Sequence, residues 1–191
     1  MRCLSCEKLS FLIICKGCQN NFLSSSLNKR EIDKDFYVYS FYDFNEVKEL
    51  INSKYYFYGD RVINILASLS FKIFSQNLNL DFPITVIPID DHTRHNFSHS
   101  AILARHMKNN KLNVVYNTLK AKNKIKYAGK SLFYRKHNKR DFMYTGKKDL
   151  NVILVDDLLT SGSTILEAKR ILEKNNCTVL FSLTLSDAKL C

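Results

Sequence analysis

Two adjacent carboxylates, Asp156 and Asp157, close a wholly apolar run, 152-VILV-155, and after two leucines the chain turns to small residues, 160-TSGST-164. An apolar run of this kind reads as a strand covered on both faces. Ligand sites of open α/β sheets lie outside the carboxyl ends of their strands, which is where the acids fall. Thr160, Ser161, Gly162, Ser163 and Thr164 then form a loop that enters a helix. Small residues let backbone N–H groups close around a phosphate, Gly162 permits a conformation that other residues resist, and the helix dipole favours the anion. Two carboxylates beside a phosphate cradle make chemical sense when the ligand also carries hydroxyls. A sugar phosphate satisfies both halves. The competing reading is an ordinary strand-to-helix turn capped by Ser or Thr.

A second reactive set stands at the start of the chain. Cys3 and Cys6 form one CxxC pair, and Cys15 and Cys18 form another after eight intervening residues. Such turns let two thiolates share a tetrahedral Zn²⁺, and two pairs complete a closed four-thiolate shell. Gly17 suits the tight turn. Redox dithiols are the alternative, but they usually come singly on a strand-helix unit. Ligation here would supply folding energy to a head too small to hold itself together. Cys177 and Cys191 have no partner at ligand spacing.

The formal net charge is +11 over 191 residues, and the charge is regional. From His92 to Arg140 there is no Asp or Glu, whereas Lys and Arg number 13, leaving 16 cations against 18 acids, or −2, elsewhere. Aromatic residues in the same segment, among them Phe97, Tyr116, Tyr127, Phe133 and Tyr134, suit a polyanion, because cations track phosphates while rings stack on bases. Lys120, Lys122, Lys124, Lys126, Lys130 and Arg135 are the candidate DNA contacts. A solvated Lys-rich face is the plainer alternative. His92, His95, His99 and His106 invite a metal reading, but loop histidines beside Arg94 more simply contact an anion or cap a helix. Arg94 itself is a candidate for a pyrophosphate or a DNA phosphate.

The elements that must position these residues follow from periodicity. Residues 1 to 23 form the head, 24–34 reads as a polar linker, and 35–191 is the main domain. Strands are expected at 36–41, 84–89, 112–116, 151–155 and 178–185. Helices are expected at 44–53, capped by Asp43, at 60–74, started by Asp60, at 98–108 with Ser98 near its start, and at 164–176. The alternation predicts a mostly parallel α/β sheet with helices on both faces. No run reaches the length of a membrane span, and Leu9 to Cys15 is interrupted by Ser10, so the expectation is a cytoplasmic protein in a reducing compartment.

The stretch 152–164 closely resembles the phosphoribosyl pyrophosphate (PRPP) signature of type I phosphoribosyltransferases. That resemblance implies that Asp156 and Asp157 face the ribose, that Thr160 to Thr164 hold the 5′-phosphate, and that Mg²⁺ accompanies the pyrophosphate. With the four-cysteine head, the chain is similar over nearly its whole length to the ComF family of competence proteins. Supporting segments are 54-KYYFYGD-60, similar to a K-x-x-x-x-G segment, 86-VIPIDDHTRHNFSHSAILA-104 with Arg94, Asn96 and Phe97, and 135-RKHN-138 followed by Phe142. His95 stands where the family has glycine and His99 where it has glutamine. The resemblance implies a protein that handles incoming single-stranded DNA during natural transformation at the cytoplasmic side of the inner membrane, with DNA-transport or DNA-processing proteins as partners. The rival expectation is an active Mg²⁺-dependent phosphoribosyltransferase acting on a nitrogen nucleophile.

Overall fold

The protein was analysed as a computed structural model, which describes residues 1–89, 97–123 and 140–189. Eight strands are present among them: β1 (Asn28–Asp33), β2 (Phe36–Asp43), β3 (Ile84–Pro88), β4 (Leu112–Val114), β5 (Leu119–Ala121), β6 (Phe142–Tyr144), β7 (Asn151–Leu159) and β8 (Thr178–Asp187). Helices are α1 (Lys16–Phe22), α2 (Phe44–Asn52), α3 (Gly59–Leu69), α4 (Phe71–Asn77), α5 (His99–Arg105) and α6 (Ser163–Glu173), with a 3₁₀ turn at Ser53–Tyr55. Six strands form one sheet in the order β1-β2-β8-β7-β3-β4. Every pairing in it is parallel except β1 with β2. The expected mostly parallel α/β sheet with helices on both faces is therefore present.

The alternation along β7 shows why its sequence is apolar throughout. Ile153 and Val155 join a core with Val47, Val62, Leu66 and Leu103 from α2, α3 and α5. Val152 and Leu154 point the other way, into a core with Ile165, Ala168 and Leu172 of α6 and with Leu119 and Phe142 of the antiparallel β5–β6 pair. Both faces are covered, so neither register position is left to polar residues.

Several boundaries differ from the sequence reading. The stretch 24–34 contains β1, an antiparallel partner of β2, because a tight reversal at Lys34 and Asp35 lets alternating polar residues cover a sheet edge. Asp60 does not cap α3: Gly59 already begins that helix, its N–H bonded to the Tyr56 carbonyl, and Asp60 sits in the first turn. The single helix expected over 60–74 is two. Ser70 breaks it at φ −128° and ψ −78°, its hydroxyl donating back to the Leu66 carbonyl at 2.7 Å. Asp43 and Ser98 do cap α2 and α5, accepting from the Asn45 and Ala101 N–H at 2.8 and 3.3 Å. No helix among the described residues is long and apolar enough to cross a membrane.

Candidate functional site

β3 stops pairing with β7 at Pro88 and Val155, whereas β8 follows β7 as far as Leu159 and Asp187. Asp156 and Asp157 thus sit inside the strand, one step past the point where its β3 side loses its strand partner. The expectation had placed them after the strand; β8 extends it by four residues. Side chains from segments that follow the carboxyl ends of β2 and β3 converge on the same spot. Lys54 Nζ donates to Asp157 Oδ2 at 2.6 Å, and His99 Nδ1 lies 3.9 Å from the same oxygen.

The two carboxyls are driven apart electrostatically. Burial pushes Asp156 up to about 7, reinforced by the charge of Asp157 and opposed by the Asp157 N–H, by Arg140 and by Lys54. That N–H donates to Asp156 Oδ1 at 2.8 Å. Burial also works against ionised Asp157, but Lys54 and then His99 outweigh it and hold the group below the ordinary carboxylate range. Lys54 is likewise held above its ordinary value, because Asp157 overcomes the cost of burying the ammonium. At neutral pH the pair therefore offers one firm acceptor, Asp157, beside one carboxyl poised to hold or release a proton.

The loop after β7 is fixed from below. Arg30 of β1 donates through Nη2 to the Thr160 carbonyl at 2.6 Å and pairs through Nη1 with buried Asp187 Oδ1 at 2.8 Å. Gly162 has φ +76° and forms the left-handed entry to α6, and a Cβ there would stand 3.0 Å from Ile32 Cδ1. Ser161 and Ser163 hydroxyls meet at 2.9 Å, and Thr164 lies in the first turn of α6. A helix of this length brings unpaired first-turn N–H groups and a positive dipole end to that loop. Glu167, one turn on, accepts from the Arg140 and Asp141 N–H at 3.1 and 2.7 Å and so ties Arg140 to α6. The donor set suits a phosphate, and the acids suit hydroxyl groups or a metal-carried diphosphate.

The four cysteine sulfurs lie within 4.8 Å of one another, and Cys6 and Cys15 Sγ are 3.7 Å apart. A tetrahedral Zn²⁺ with bonds of about 2.3 Å requires sulfurs about 3.8 Å apart. The set fits that metal. Backbone N–H groups already point at the sulfurs: Cys15 and Ser5 donate to Cys3 Sγ at 3.3 and 3.4 Å, and Cys18 donates to Cys15 Sγ at 3.5 Å. The Cys15 N–H first, and then those of Cys6 and Ser5, pull the Cys3 thiol down to about 6 against the effect of burial.

The remaining sequence candidates separate. Lys120 lies on β5, and Lys122, just after it, faces Asp141 at 3.7 Å with both side chains more than half exposed, a pairing worth little. Arg94, Lys124, Lys126, Lys130 and Arg135 lie outside the described residues, as do His92 and His95. Cys177 is buried filler against Tyr144 and Lys147. No sequence motif marks Arg30 or Asp187, and Lys54 stands only as the first residue of the K-x-x-x-x-G segment. A lone lysine in 54-KYYFYG-59 carries no local sign that it will meet Asp157 across the sheet.

Neither a family model nor a curated protein matches the sequence. Solved structures that match include a hypoxanthine phosphoribosyltransferase from Staphylococcus aureus in two crystal forms, at 11% and 10% identity, TM-scores of 0.39 and 0.38, and 65% and 67% of this chain. The chain spans 62% and 64% of that protein in the two forms, less than two thirds of its length. An adenine phosphoribosyltransferase from Trypanosoma brucei, solved with AMP, pyrophosphate and ribose-5-phosphate, matches at 12% identity and a TM-score of 0.44, covering 86% of this chain and 88% of that one. The α/β assignment rests on strand order and register, and these likenesses stand beside it.

Proposed function

We propose that the protein binds PRPP at the carboxyl edge of its sheet and acts, as a ComFC-type member of the ComF family, on incoming single-stranded DNA at the cytoplasmic side of the inner membrane. The observation that carries the PRPP reading is the Asp156–Asp157 pair at the carboxyl end of β7, with Lys54 held on Asp157 at 2.6 Å, two residues before the 160–164 loop. Ionised Asp157 accepts a ribose hydroxyl, Asp156 accepts or donates to its neighbour, and Thr160, Ser161, Gly162, Ser163 and Thr164 hold the 5′-phosphate. Arg94 is assigned to the pyrophosphate side. Mg²⁺, when bound with PRPP, would neutralise charge on the diphosphate.

The DNA-handling half rests on the family resemblance and on the acid-free segment 92–140. Lys120, Lys122, Lys124, Lys126, Lys130 and Arg135 would track the strand's phosphates, and DNA-transport or DNA-processing proteins would deliver it. We keep the division into a head, 1–23, and a main domain, 35–191, with the zinc head bracing the domain. Its Cys3, Ile13, Ile14, Cys18 and Leu23 belong to the same buried cluster as α2 and α3, which favours bracing.

A second reading is favoured by one feature, the Asp156 carboxyl held near neutrality. Such a group is suited to proton traffic in transfer of ribose 5-phosphate from PRPP to a nitrogen nucleophile. The C1–oxygen bond to pyrophosphate would break, a C1–nitrogen bond would form, and the nucleophile would lose a proton. Pyrophosphate release and strand binding separate the two. The first reading expects PRPP binding without turnover, together with single-strand binding that falls steeply with salt and is weakened by Lys120→Glu and Lys122→Glu. Pyrophosphate release that depends on an added nucleobase or amine would establish the second, and failure to bind PRPP at all would remove both.

A further inference from the structure

We infer that a second phosphate site, built from none of the strand-end residues, lies between α4, the end of α5 and the turn before β4. An open pocket of about 300 Å³ is lined there by Lys72, Gln76, Arg105, His106, Lys108 and Asn109, together with Ser75. Three full cations face it and no carboxylate lines it. Among the described residues, none of Lys72, Arg105 and Lys108 forms an ion pair with an acid. Like charges gathered in one concavity cost the fold through mutual repulsion, and a bound anion removes that cost.

The arrangement is organised rather than a loose fringe of surface charge. Asn64 Nδ2 donates to the Asp60 carbonyl at 2.8 Å, which fixes the amide so that Oδ1 faces the pocket wall. That oxygen accepts from Arg105 Nη2 at 2.7 Å and meets His106 Nε2 at 3.0 Å. His106 therefore presents Nε2–H to Asn64. Asn109 is fixed in turn, with Nδ2 donating to the Ser75 carbonyl at 3.0 Å and Oδ1 accepting from the Lys111 and Leu112 N–H groups. Burial first, and then the charges of Arg105 and Lys72, lower the His106 imidazolium. A planar guanidinium pinned at one edge with two flexible ammonium groups is a donor set suited to phosphate oxygens.

Two sources share that chemistry, the phosphodiester of a single strand and the phosphates of a free polyphosphate or nucleotide. The inference does not depend on the PRPP reading, because it uses neither Asp156, Asp157 nor the 160–164 loop. The test compares the full zinc-loaded protein with a pocket variant, Lys72→Gln, Arg105→Gln and Lys108→Gln, and with a charge-matched control, Lys34→Gln, Lys147→Gln and Lys148→Gln. Labelled oligothymidylate and inorganic tripolyphosphate are the probes, with thermal denaturation confirming that both variants fold. The pocket variant is expected to lose about tenfold or more in affinity, and about 2 in the slope of log K against log salt for the strand, while the control changes little. Loss for tripolyphosphate as well as the strand identifies a site for free polyphosphates; loss for the strand alone identifies the phosphodiester. The part of PRPP binding that Asp157→Asn abolishes is expected to be the same in all three proteins, so failure here is distinguishable from failure at the strand-end site. Equal effects in the pocket variant and the control, or no effect in either, would overturn the inference.

Discussion

The cysteine head and the strand-end site both gather reactive side chains, but they are assembled in opposite ways. All four thiols come from residues 3 to 18, and short N–H to sulfur bonds within the same stretch shape them. The strand-end site instead joins Lys54 to Asp157 across 103 residues and Arg30 to Thr160 across 130. A local set is suited to a metal, because a closed shell of four thiols can add folding energy that so short a segment lacks by itself. A long-range set is held by the sheet itself, which brings Lys54 and Asp157 to 2.6 Å with both side chains largely out of solvent.

The largest expected effect tests the first half of that contrast. Stripping metal with a chelator should expose the four thiols to a thiol reagent and lower the melting temperature by about 10 °C or more, since structural zinc contributes on the order of 10 kcal/mol to small folds. The loss should spread beyond the head, because Ile13, Ile14 and Leu23 are part of the core shared with α2 and α3. An unchanged melting temperature with all four thiols reactive would show that the head is held by packing alone.

The next effect tests the second half. Lys54→Met leaves a buried carboxylate without its partner and should cost about 3 kcal/mol in denaturant unfolding, while moving the Asp157 titration upward. A cost below about 1 kcal/mol would mean that solvent screens the pair as it does on a surface.

Asp156 sharpens the comparison through pH. Its folded value of about 7 lies above the ordinary 3.8, so between those values the unfolded chain has lost a proton that the folded chain keeps. Stability from this group is fully present at low pH and is lost as pH rises through that window, by up to about 4 kcal/mol. Asp157 has the opposite sign: its contribution is present above pH 3.8 and is lost as pH falls through its depressed folded value. Asp156→Asn should therefore flatten the stability profile between pH 4 and 7 and leave the acid limb in place. Unfolding curves across that range check it, and an unaltered slope would remove Asp156 as its source.

Smaller effects belong to the frame. Gly162→Ala places a side chain at φ +76° against Ile32 and should cost about 1 to 2 kcal/mol. Asp43→Ala removes the α2 cap that leads toward Lys54 and should cost about 1 kcal/mol, measured by the same unfolding curves.

Legibility follows the same division. The four cysteines, the acids and the 160–164 loop could be read because each lies within one short segment whose residue types carry the chemistry. The parallel core could be read from apolar runs such as 152-VILV-155, which suit a strand covered on both faces. β1 was hidden because its polar alternation, Asn28 to Asp33, looks like a linker until an edge of the sheet requires it. Arg30, Asp187 and the partner of Lys54 were hidden because sheet order, which no local pattern encodes, decides which strand ends become neighbours. The break at Ser70 was hidden because the helical period runs on either side of it.

Asp156, Asp157 and the loop from Thr160 to Thr164 are proposed to hold a ribose phosphate. Calorimetric titration of the zinc-loaded protein with PRPP and Mg²⁺, repeated with Asp157→Asn, tests it most directly. Saturable binding is expected, which ribose 5-phosphate competes away and which falls about tenfold or more in the variant, since a charged acceptor to a sugar hydroxyl is lost. Absence of binding, or equal affinity in the two proteins, would contradict it.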